Sequence, residues 1–319
     1  MKTVVLYLDK ISAPMEELVT QSFSDVAEVK FLDPSQGAQG KLDEARYMLA
    51  TNFLVTREVI DNAPCLKMIQ RTGVGYDNVD IEYAKTKGLP VSITLGTNAS
   101  SVAELVVLYM LGLYRKIIPL DRQSKTGVWD SWKYRHESFE LLGKTVGIVG
   151  SGAIGREVMK RLAPFCVNLI YYDIKRLPVE TEKELGCSYR PLEGLLKEAD
   201  IVTLHVPWLE ATRNMFSRER LAMMKYGAIL INTARGPVVD EKSLIEALKE
   251  GRIGGAGLDV FDPEPFTPDS EILKFDNVIT TPHVGAATLD NYRRVFTFCA
   301  ENIQRVERGE KPENIVNGV

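Results

Sequence analysis

The sequence predicts an α/β protein with two parallel β-sheets, on the basis of three observations. Short apolar runs alternate with helical stretches along the 319 residues. The alternation occurs in two series, one before about residue 95 and one after about residue 145. The segment 150–155 repeats glycine between an apolar run and a helical stretch, which is typical of a nucleotide-binding sheet. Since the chain exceeds the usual size of one core, each series is expected to form a domain.

The first series predicts a small parallel α/β domain. Helical stretches such as 15–22 and 81–87 separate its apolar runs. Strands joined through helices lie parallel, because the helix returns the chain to the starting edge of the sheet. The predicted strands lie at 4–8, 26–31, 53–55, 67–70 and 90–93.

Two further helical stretches predict how the domains are connected. Residues 101–115 are apolar on most sides and predict a buried helix between the domains. Apolar residues recur at helical spacing from Tyr292 to Val306, which would carry the chain back to the first domain. The second domain is then an insertion. The expected domains are 1–98 with 290–319, and 99–289.

The second series predicts a doubly wound sheet, since it contains six apolar runs with helices between them. The last strand, with Val278 and Ile279 at its centre, is expected to be buried. The predicted strands lie at 146–149, 168–172, 201–205, 228–232, 255–259 and 278–280.

Composition argues against several classes of function. Hydrophobic residues make up 45% and charged residues 26% of the chain, as in ordinary globular proteins. The net charge of −4 offers no basic surface, so we expect no nucleic-acid partner. Without a membrane-spanning apolar run or a recognisable signal peptide, we expect a cytoplasmic protein. The spacing of the four cysteines argues against disulfides and a metal site, and favours buried thiols.

The strongest local motif is the glycine segment after the strand 145–149. It has the form G-x-G-x-x-G, and the strand before it and the helix after it favour dinucleotide binding over a simple loop. Gly150 would permit the tight turn, Gly152 the approach of the backbone to the pyrophosphate, and Gly155 the packing of helix on strand. The pyrophosphate would lie at the N-terminus of the helix.

Asp173 ends the strand that follows the glycine motif. An acidic residue about 20 positions after the first glycine accepts hydrogen bonds from the adenosine ribose and disfavours a 2′-phosphate. Asp173 therefore favours NAD over NADP, although Lys175 and Arg176 are near enough in sequence to bind a phosphate. The alternative is a solvated carboxylate at a strand end.

Polar residues that suit catalysis follow predicted strands of the same domain. His283 follows the last strand, where open α/β sheets bind their ligands, and histidine exchanges protons near neutral pH. Arg235 follows an apolar strand and suits a planar carboxylate, which accepts two parallel hydrogen bonds. Asp259 ends another strand, and Glu264 stands between two prolines. The structural alternatives are a core or loop histidine, a surface arginine and an acidic surface loop.

Seven segments together resemble the D-isomer-specific 2-hydroxyacid dehydrogenases, in the family's order and over nearly the whole chain. The sequence departs from many relatives at Ala153, where arginine is common, and at Trp208, where leucine is frequent. The segments are R-T-G-V-G-Y-D-N-V-D at 71–80, N-A-S-S-V-A-E at 98–104, the glycine motif, H-V-P at 205–207, N-T-A-R-G at 232–236, the acidic segment 259–265 and T-P-H-V-G at 281–285.

The resemblance implies a Rossmann doubly wound parallel sheet inserted into a smaller flavodoxin-like α/β substrate domain. It also implies NAD as the cofactor and a homodimer. The catalytic set would be Arg235, Glu264 and His283. Amides near Val74 and Gly75 would hold the substrate together with Arg235 and His283. Cofactor contacts would come from Val102, Gly150, Gly152, Ala153, Ile154, Gly155, Asp173, His205, Val206, Pro207, Thr212, Thr233, Ala234, Arg235, Asp259, His283 and Gly285.

The resemblance, together with these residues, therefore implies an NAD-dependent oxidoreductase that interconverts a 2-oxo acid and a D-2-hydroxy acid by hydride transfer, with His283 as acid and base. It would be of the glyoxylate or hydroxypyruvate reductase type or the short phosphoglycerate dehydrogenase type. The motifs do not separate these substrates from lactate-like or longer acids. One alternative is an NAD-binding scaffold like the corepressors that resemble this family. Another is a nucleotide-binding protein with a different chemistry, such as methyl transfer.

Overall fold

The computed structural model describes residues 3–32 and 42–319. The chain folds into two compact units. The first unit comprises Met1–Asn98 and Thr288–Val319, and the inserted unit comprises Ala99–Ala287. None of the helices within the described ranges combines the length and the apolar composition that crossing a membrane requires.

The first unit contains a sheet of five parallel strands in the order β2-β1-β3-β4-β5. This is the strand order of flavodoxin-like folds, with the switch point between β1 and β3. The strands are β1 (Thr3–Tyr7), β2 (Ala27–Phe31), β3 (Tyr47–Ala50), β4 (Met68–Arg71) and β5 (Val91–Ser92). Its first three helices are α1 (Ala13–Ser22), α2 (Arg57–Asp61) and α3 (Ile81–Thr86).

The third strand of this sheet was predicted at the wrong place. The prediction was 53–55, but β3 lies at Tyr47–Ala50, and Val55 forms only a single bridge to Val79. All four residues of β3 are buried, because the strand lies between β1 and β4 in the middle of the sheet. A strand covered on both faces does not show the alternation that marks half-buried strands, and its Met-Leu-Ala run also suits a helix.

The inserted unit contains seven parallel strands in the order β12-β11-β10-β9-β6-β7-β8. The order reverses between β6 and β9, and a doubly wound sheet binds its ligand at such a switch point. The strands are β6 (Thr145–Val149), β7 (Asn168–Tyr172), β8 (Cys187–Tyr189), β9 (Ile201–Leu204), β10 (Ala228–Asn232), β11 (Ile253–Leu258) and β12 (Val278–Thr280). The helices are α4 (Ala99–Tyr114), α5 (Ile117–Lys125), α6 (Ala153–Leu162), α7 (Val179–Leu185), α8 (Leu192–Glu198), α9 (Arg218–Met223) and α10 (Glu241–Lys249).

The six strands predicted for this sheet are all present, and its two edge strands differ from the expectation. The sequence reasoning missed β8, which has only three residues and a serine at its centre. It predicted β12 as buried, but all three residues of β12 are half-buried. The physical reason is the same for both: an edge strand has a neighbour on one side only, so it needs less apolar length and retains some exposure.

Helix α4 packs against α6 and against β10, β11 and β12. Ten of its sixteen residues are buried, among them Tyr109, which is 1% exposed, and only Glu104 and Leu108 are exposed. The expectation that this helix is buried on most sides is therefore confirmed, with the exception of Leu108, which is 61% exposed. Cys187 and Cys299 are buried as expected, whereas Cys65 and Cys166 are exposed.

The last helix, α11 (Leu289–Glu307), returns the chain to the first sheet. Val295, Phe296 and Ile303 pack in one cluster with Val5 and Tyr7 of β1. This confirms the expectation that the apolar residues after 290 carry the chain back to the first series of strands.

Candidate active site

The glycine motif forms the turn from β6 into α6 at the switch point of the inserted sheet. Gly150 has a φ of 99°, and a Cβ on it would lie 2.5 Å from the carbonyl oxygen of His205. A Cβ on Gly155 would lie 2.1 Å from the carbonyl oxygen of Gly150. Two of the three glycines are therefore required by backbone packing, in the roles that the motif predicts.

The third glycine and the start of α6 fit the pyrophosphate of a dinucleotide. A Cβ on Gly152 would meet no atom of the described residues within 4 Å, so packing within that part of the chain does not require glycine there. Among the described side chains none caps α6, which leaves the amides at Ala153 and Ile154 for an anion. The buried Oγ1 of Thr233 also has no hydrogen-bond partner in the described part of the chain. These features agree with NAD at this edge of the sheet.

Asp173 lies beside the glycine turn, and its carboxylate holds that turn. Its Oδ2 accepts hydrogen bonds from Ser151 N at 2.7 Å and Ser151 Oγ at 2.9 Å. Arg176 instead donates to both carboxylate oxygens of Glu182, at 2.8 and 2.9 Å. The Arg176 and Tyr171 hydrogen bonds lower the pKa of Glu182 to about 2, so this ion pair persists at neutral pH. Arg176 is therefore already engaged, and Lys175 is the exposed cation nearest to Asp173 in sequence.

His205 follows β9, next to the glycine turn. Its Nε2 lies 3.0 Å from Thr203 Oγ1, and its buried Nδ1 has no partner within the described residues. Burial lowers the pKa of His205 to about 3, so the ring is neutral at physiological pH. The loop that follows is closed by Thr212, whose Oγ1 donates to the Pro207 carbonyl at 2.6 Å, and Val206 lies against Gly150.

Arg235 is half-buried in a tight loop after β10. Asn232 clamps this loop, since its Oδ1 accepts from Ala234 N at 3.0 Å and its Nδ2 donates to Arg235 O at 2.9 Å. A Cβ on Gly236 would lie 1.9 Å from the Phe261 carbonyl oxygen. The loops after β10 and β11 therefore touch, and this contact requires glycine.

His283 and Glu264 form a hydrogen-bonded pair. His283 Nδ1 lies 2.7 Å from Glu264 Oε2, and the His283 side chain is 48% exposed. Burial raises the pKa of Glu264, but hydrogen bonds from His283 and Phe261 N and the charge of Arg235 outweigh it and lower the pKa below its usual value. The ionised carboxylate accepts a hydrogen bond from Nδ1–H, so Nε2 is the ring nitrogen left to contact a substrate.

Asp259 anchors the loop that carries His283. It is 1% exposed, and its carboxylate accepts from Thr281 Oγ1, from Val284 N at 2.8 Å and from Gly285 N at 2.8 Å. His283 N donates to the backbone oxygen of Asp259 at 2.8 Å. The resemblance to the family implies a cofactor contact for Asp259, and in the structure both of its carboxylate oxygens accept hydrogen bonds from the loop.

Gly285 completes this loop. A Cβ on it would lie 2.9 Å from Asp259 Oδ2 and 3.4 Å from Cγ2 of the buried Val102. Val102 thus packs on the loop that follows β12, and glycine at 285 leaves room for both neighbours.

Val74 and Gly75 belong to the first unit, in the loop after β4. Arg71, at the end of β4, is 7% exposed and donates through Nε to Gly75 O at 2.8 Å. Its Nη1 donates to Ala50 O at 2.6 Å. A buried guanidinium therefore ties the 74–75 loop to the end of β3.

The structure brings Arg235, Asp259, Glu264 and His283 together at one edge of the inserted sheet. Sequence reasoning missed the supporting residues Asn232 and Thr281, although both begin segments that resemble the family, at 232–236 and 281–285. It also missed Tyr109, whose hydroxyl contacts Thr281 Oγ1. A tyrosine in an apolar helix gives no sequence signal beyond burial. Among the residues described, no three His, Cys, Asp or Glu side chains are grouped so as to bind a metal ion.

Comparison with known proteins identifies relatives that match most of the chain. A family model described as D-isomer specific 2-hydroxyacid dehydrogenase, NAD binding domain, matches residues 107–285. A glyoxylate reductase of Korarchaeum cryptofilum is 42% identical over 82% of this chain and 80% of that protein. A D-3-phosphoglycerate dehydrogenase of Methanocaldococcus jannaschii is 41% identical over 96% of this chain and 59% of that protein. The crystal structure of a D-lactate dehydrogenase from Aquifex aeolicus, complexed with NAD and lactic acid, matches with a TM-score of 0.82 and 30% identity over 96% of each chain.

Proposed function

The chain belongs to the D-isomer specific 2-hydroxyacid dehydrogenase family, and on that premise we propose that His283 is the acid and base of its reaction. The protein is an NAD-dependent oxidoreductase that acts on hydroxy or oxo acids. Bound NAD supplies or accepts the hydride. The remaining task of the protein is to bind the acid, orient its carbonyl and move one proton.

The observation that carries this proposal is the pair formed by His283 and Glu264. The 2.7 Å hydrogen bond fixes the imidazole ring, and the ionised Glu264 stabilises a proton on Nδ1 and a positive charge on the ring. In the reducing direction Nε2 donates a proton to the carbonyl oxygen, and in the oxidising direction it accepts the hydroxyl proton. A half-exposed ring at a strand end is accessible for this exchange.

Arg235 is the proposed binding group for the substrate carboxylate. It lies near enough to Glu264 for its charge to lower the pKa of that carboxyl group. A guanidinium can donate two parallel hydrogen bonds to a carboxylate, and its charge polarises the adjacent carbonyl. The amides of Val74 and Gly75, in the loop after β4 of the first unit, are proposed as further substrate-binding groups.

Residues around the glycine turn are proposed to bind NAD in preference to NADP. Asp173 lies where the ribose is expected, and its carboxylate disfavours a 2′-phosphate. Arg176 is paired with Glu182, so it supplies no ready phosphate site.

The homodimer and the cytoplasmic location are part of the same proposal. Trp129 is 92% exposed and Trp132 is 72% exposed on the inserted unit. Large exposed aromatic side chains favour a protein partner, and a second copy of this chain is the proposed one. Light scattering that gives the 35.7 kDa monomer at working concentrations would contradict the dimer.

The proposed substrate is a small 2-oxo acid, and a panel assay tests it. Glyoxylate, hydroxypyruvate, its phosphorylated form and pyruvate are each added to the protein with NADH, and the NADH absorbance is followed. We expect oxidation of NADH with at least one of them, and in reverse the use of D- but not L-2-hydroxy acids. A flat signal with every acid would contradict the proposal and favour the corepressor-like scaffold.

A further inference from the structure

Behind His283 a chain of hydrogen bonds runs from helix α4 to the loop after β12. The hydroxyl of Tyr109 contacts Thr281 Oγ1, and Thr281 Oγ1 contacts Asp259 Oδ1. A carboxylate only accepts, so the single hydroxyl proton of Thr281 goes to Asp259. Thr281 must then accept from Tyr109. The direction of both hydrogen bonds follows: Tyr109 donates to Thr281, and Thr281 donates to Asp259.

These hydrogen bonds lead through Asp259 to the backbone of His283 and of the two residues that follow it. Asp259 accepts from Val284 N and Gly285 N, each at 2.8 Å, while His283 N donates to the carbonyl oxygen of Asp259 at 2.8 Å. His283 has a φ of 53°, in the left-handed region that residues other than glycine rarely adopt. Such a backbone persists only when its surroundings hold it, and Asp259 supplies those contacts.

Tyr109, at the start of this series of hydrogen bonds, is held in place by the residues packed around it. Its side chain is 1% exposed, and a Cβ on Gly257 would lie 2.8 Å from Cγ of its ring. Gly257 in β11 thus makes room for the ring, which leaves the hydroxyl little freedom to move. Tyr109 therefore positions Thr281 from a helix that does not belong to the His283 loop.

We propose that Tyr109 and Thr281 are positioning residues that, through Asp259, hold the His283 imidazole in the orientation that meets Glu264 and the substrate. This inference rests on the proposed role of His283. Neither side chain is proposed to touch substrate or cofactor. Their effect is therefore on turnover, and it should leave the affinity for NADH and for the 2-oxo acid nearly unchanged.

The kinetic test compares Tyr109→Phe and Thr281→Val with a control on the same helix. Tyr114→Phe removes a hydroxyl from another buried tyrosine of α4, for which no hydrogen bond to the His283 loop exists in the described structure. We expect kcat to fall about three- to tenfold in Tyr109→Phe, as for one neutral hydrogen bond. In Thr281→Val we expect roughly a ten- to hundredfold fall, because a donor to a charged group is lost. Tyr114→Phe should match the unmodified enzyme.

A double variant separates positioning from general packing. If Tyr109 acts through Thr281, adding Tyr109→Phe to Thr281→Val should change kcat by less than about twofold. Thr281→Ser keeps the hydroxyl and should restore most of the turnover. Equal kcat in Tyr109→Phe and the unmodified enzyme, or a full additional loss in the double variant, would overturn the inference.

A second measurement does not depend on turnover, so it can also be made on a variant with poor activity. The chain has 3 histidines, so ¹⁵N spectra of the imidazole rings contain few signals, and His283→Gln identifies the His283 ring. We expect Tyr109→Phe and Thr281→Val to shift the His283 ring signals and to leave those of His136 in place. Unshifted His283 signals in both variants would overturn the inference. Full turnover in His283→Gln would instead overturn the proposed function, so the two failures are distinguishable.

Discussion

His205 and His283 follow strands β9 and β12 of the same sheet, at the edge where parallel strands end. Their surroundings differ in two respects. His205 lies at the switch point, where burial lowers its pKa to about 3 and its neighbour is the neutral hydroxyl of Thr203. His283 follows the edge strand, is 48% exposed, and is hydrogen-bonded to the carboxylate of Glu264.

The difference shows that a strand end provides only the location for chemistry. A histidine exchanges protons with a ligand when water and a charged partner reach it, and it becomes a fixed neutral group when neither does. Burial at the switch point suits a residue that shapes the cofactor's surroundings. Exposure beside Glu264 suits an acid and base.

The strongest test of this comparison is removal of the His283 imidazole. We expect His283→Gln to lower kcat by about two or more orders of magnitude, as for loss of general acid and base catalysis. NADH affinity, measured by fluorescence titration, should largely persist because the glycine turn is unchanged. The control is His136→Gln, at an exposed histidine paired with Glu137. Near-normal turnover in His283→Gln would contradict the role of His283 as acid and base, and with it the contrast drawn between the two histidines.

The next test removes the charge of the partner and keeps its shape. In Glu264→Gln the amide no longer stabilises a positive imidazole, so kcat should fall by about ten- to hundredfold at neutral pH. Because the pKa of Glu264 is lowered, the unmodified carboxylate should remain ionised from neutral pH down to below its usual 4.5. Steady-state kinetics of the variant measure the effect. An unchanged kcat would show that the hydrogen bond seen in the structure does not serve catalysis.

The smallest effect is expected at His205, and it concerns stability. The unfolded chain binds a proton at the ordinary pKa of 6.5, whereas the folded chain does so only near 3. Between these values the unfolded state binds more protons, so the free energy of unfolding decreases as pH falls, by up to about 1.4 kcal/mol per pH unit. His205→Gln should therefore lose less stability between pH 7 and about pH 5 than the unmodified protein.

Thermal unfolding at the two pH values measures this difference, with His136→Gln as the exposed control. The comparison between pH values cancels any constant loss of stability in the variant. Equal pH dependence in His205→Gln and the unmodified protein would show that His205 is not held neutral by burial.

Much of the inserted unit was predictable from sequence, because its decisive signals are local. The β6 strand, the glycine turn and α6 follow one another within eighteen residues, 145–162, and each has its own sequence pattern. Strands β7 and β10 have the predicted ends at Asn168–Tyr172 and Ala228–Asn232. The resemblance also selected Arg235, Glu264 and His283, which the structure places at one edge of the sheet.

The wrong predictions concern segments whose secondary structure or burial depends on the elements packed beside them. The central strand β3 lacks alternation because both faces are covered, and the edge strand β12 keeps some exposure because one side has no neighbour. The hydrogen bonds of Asp259 and Tyr109 within the fold could not be predicted for a similar reason. Their partners Gly285 and Thr281 are 26 and 172 residues distant in the chain.

The sequence by itself determined the elements and the chemistry available to them: two α/β series, a glycine turn for a dinucleotide, and a histidine, an arginine and a glutamate after strands. Only the tertiary structure decided which histidine is exposed and which is buried, and which carboxylate meets the imidazole. The physical reason is that turns and helix starts depend on neighbouring residues in the chain. Solvation and hydrogen-bond partners depend instead on packing between residues that are far apart in sequence.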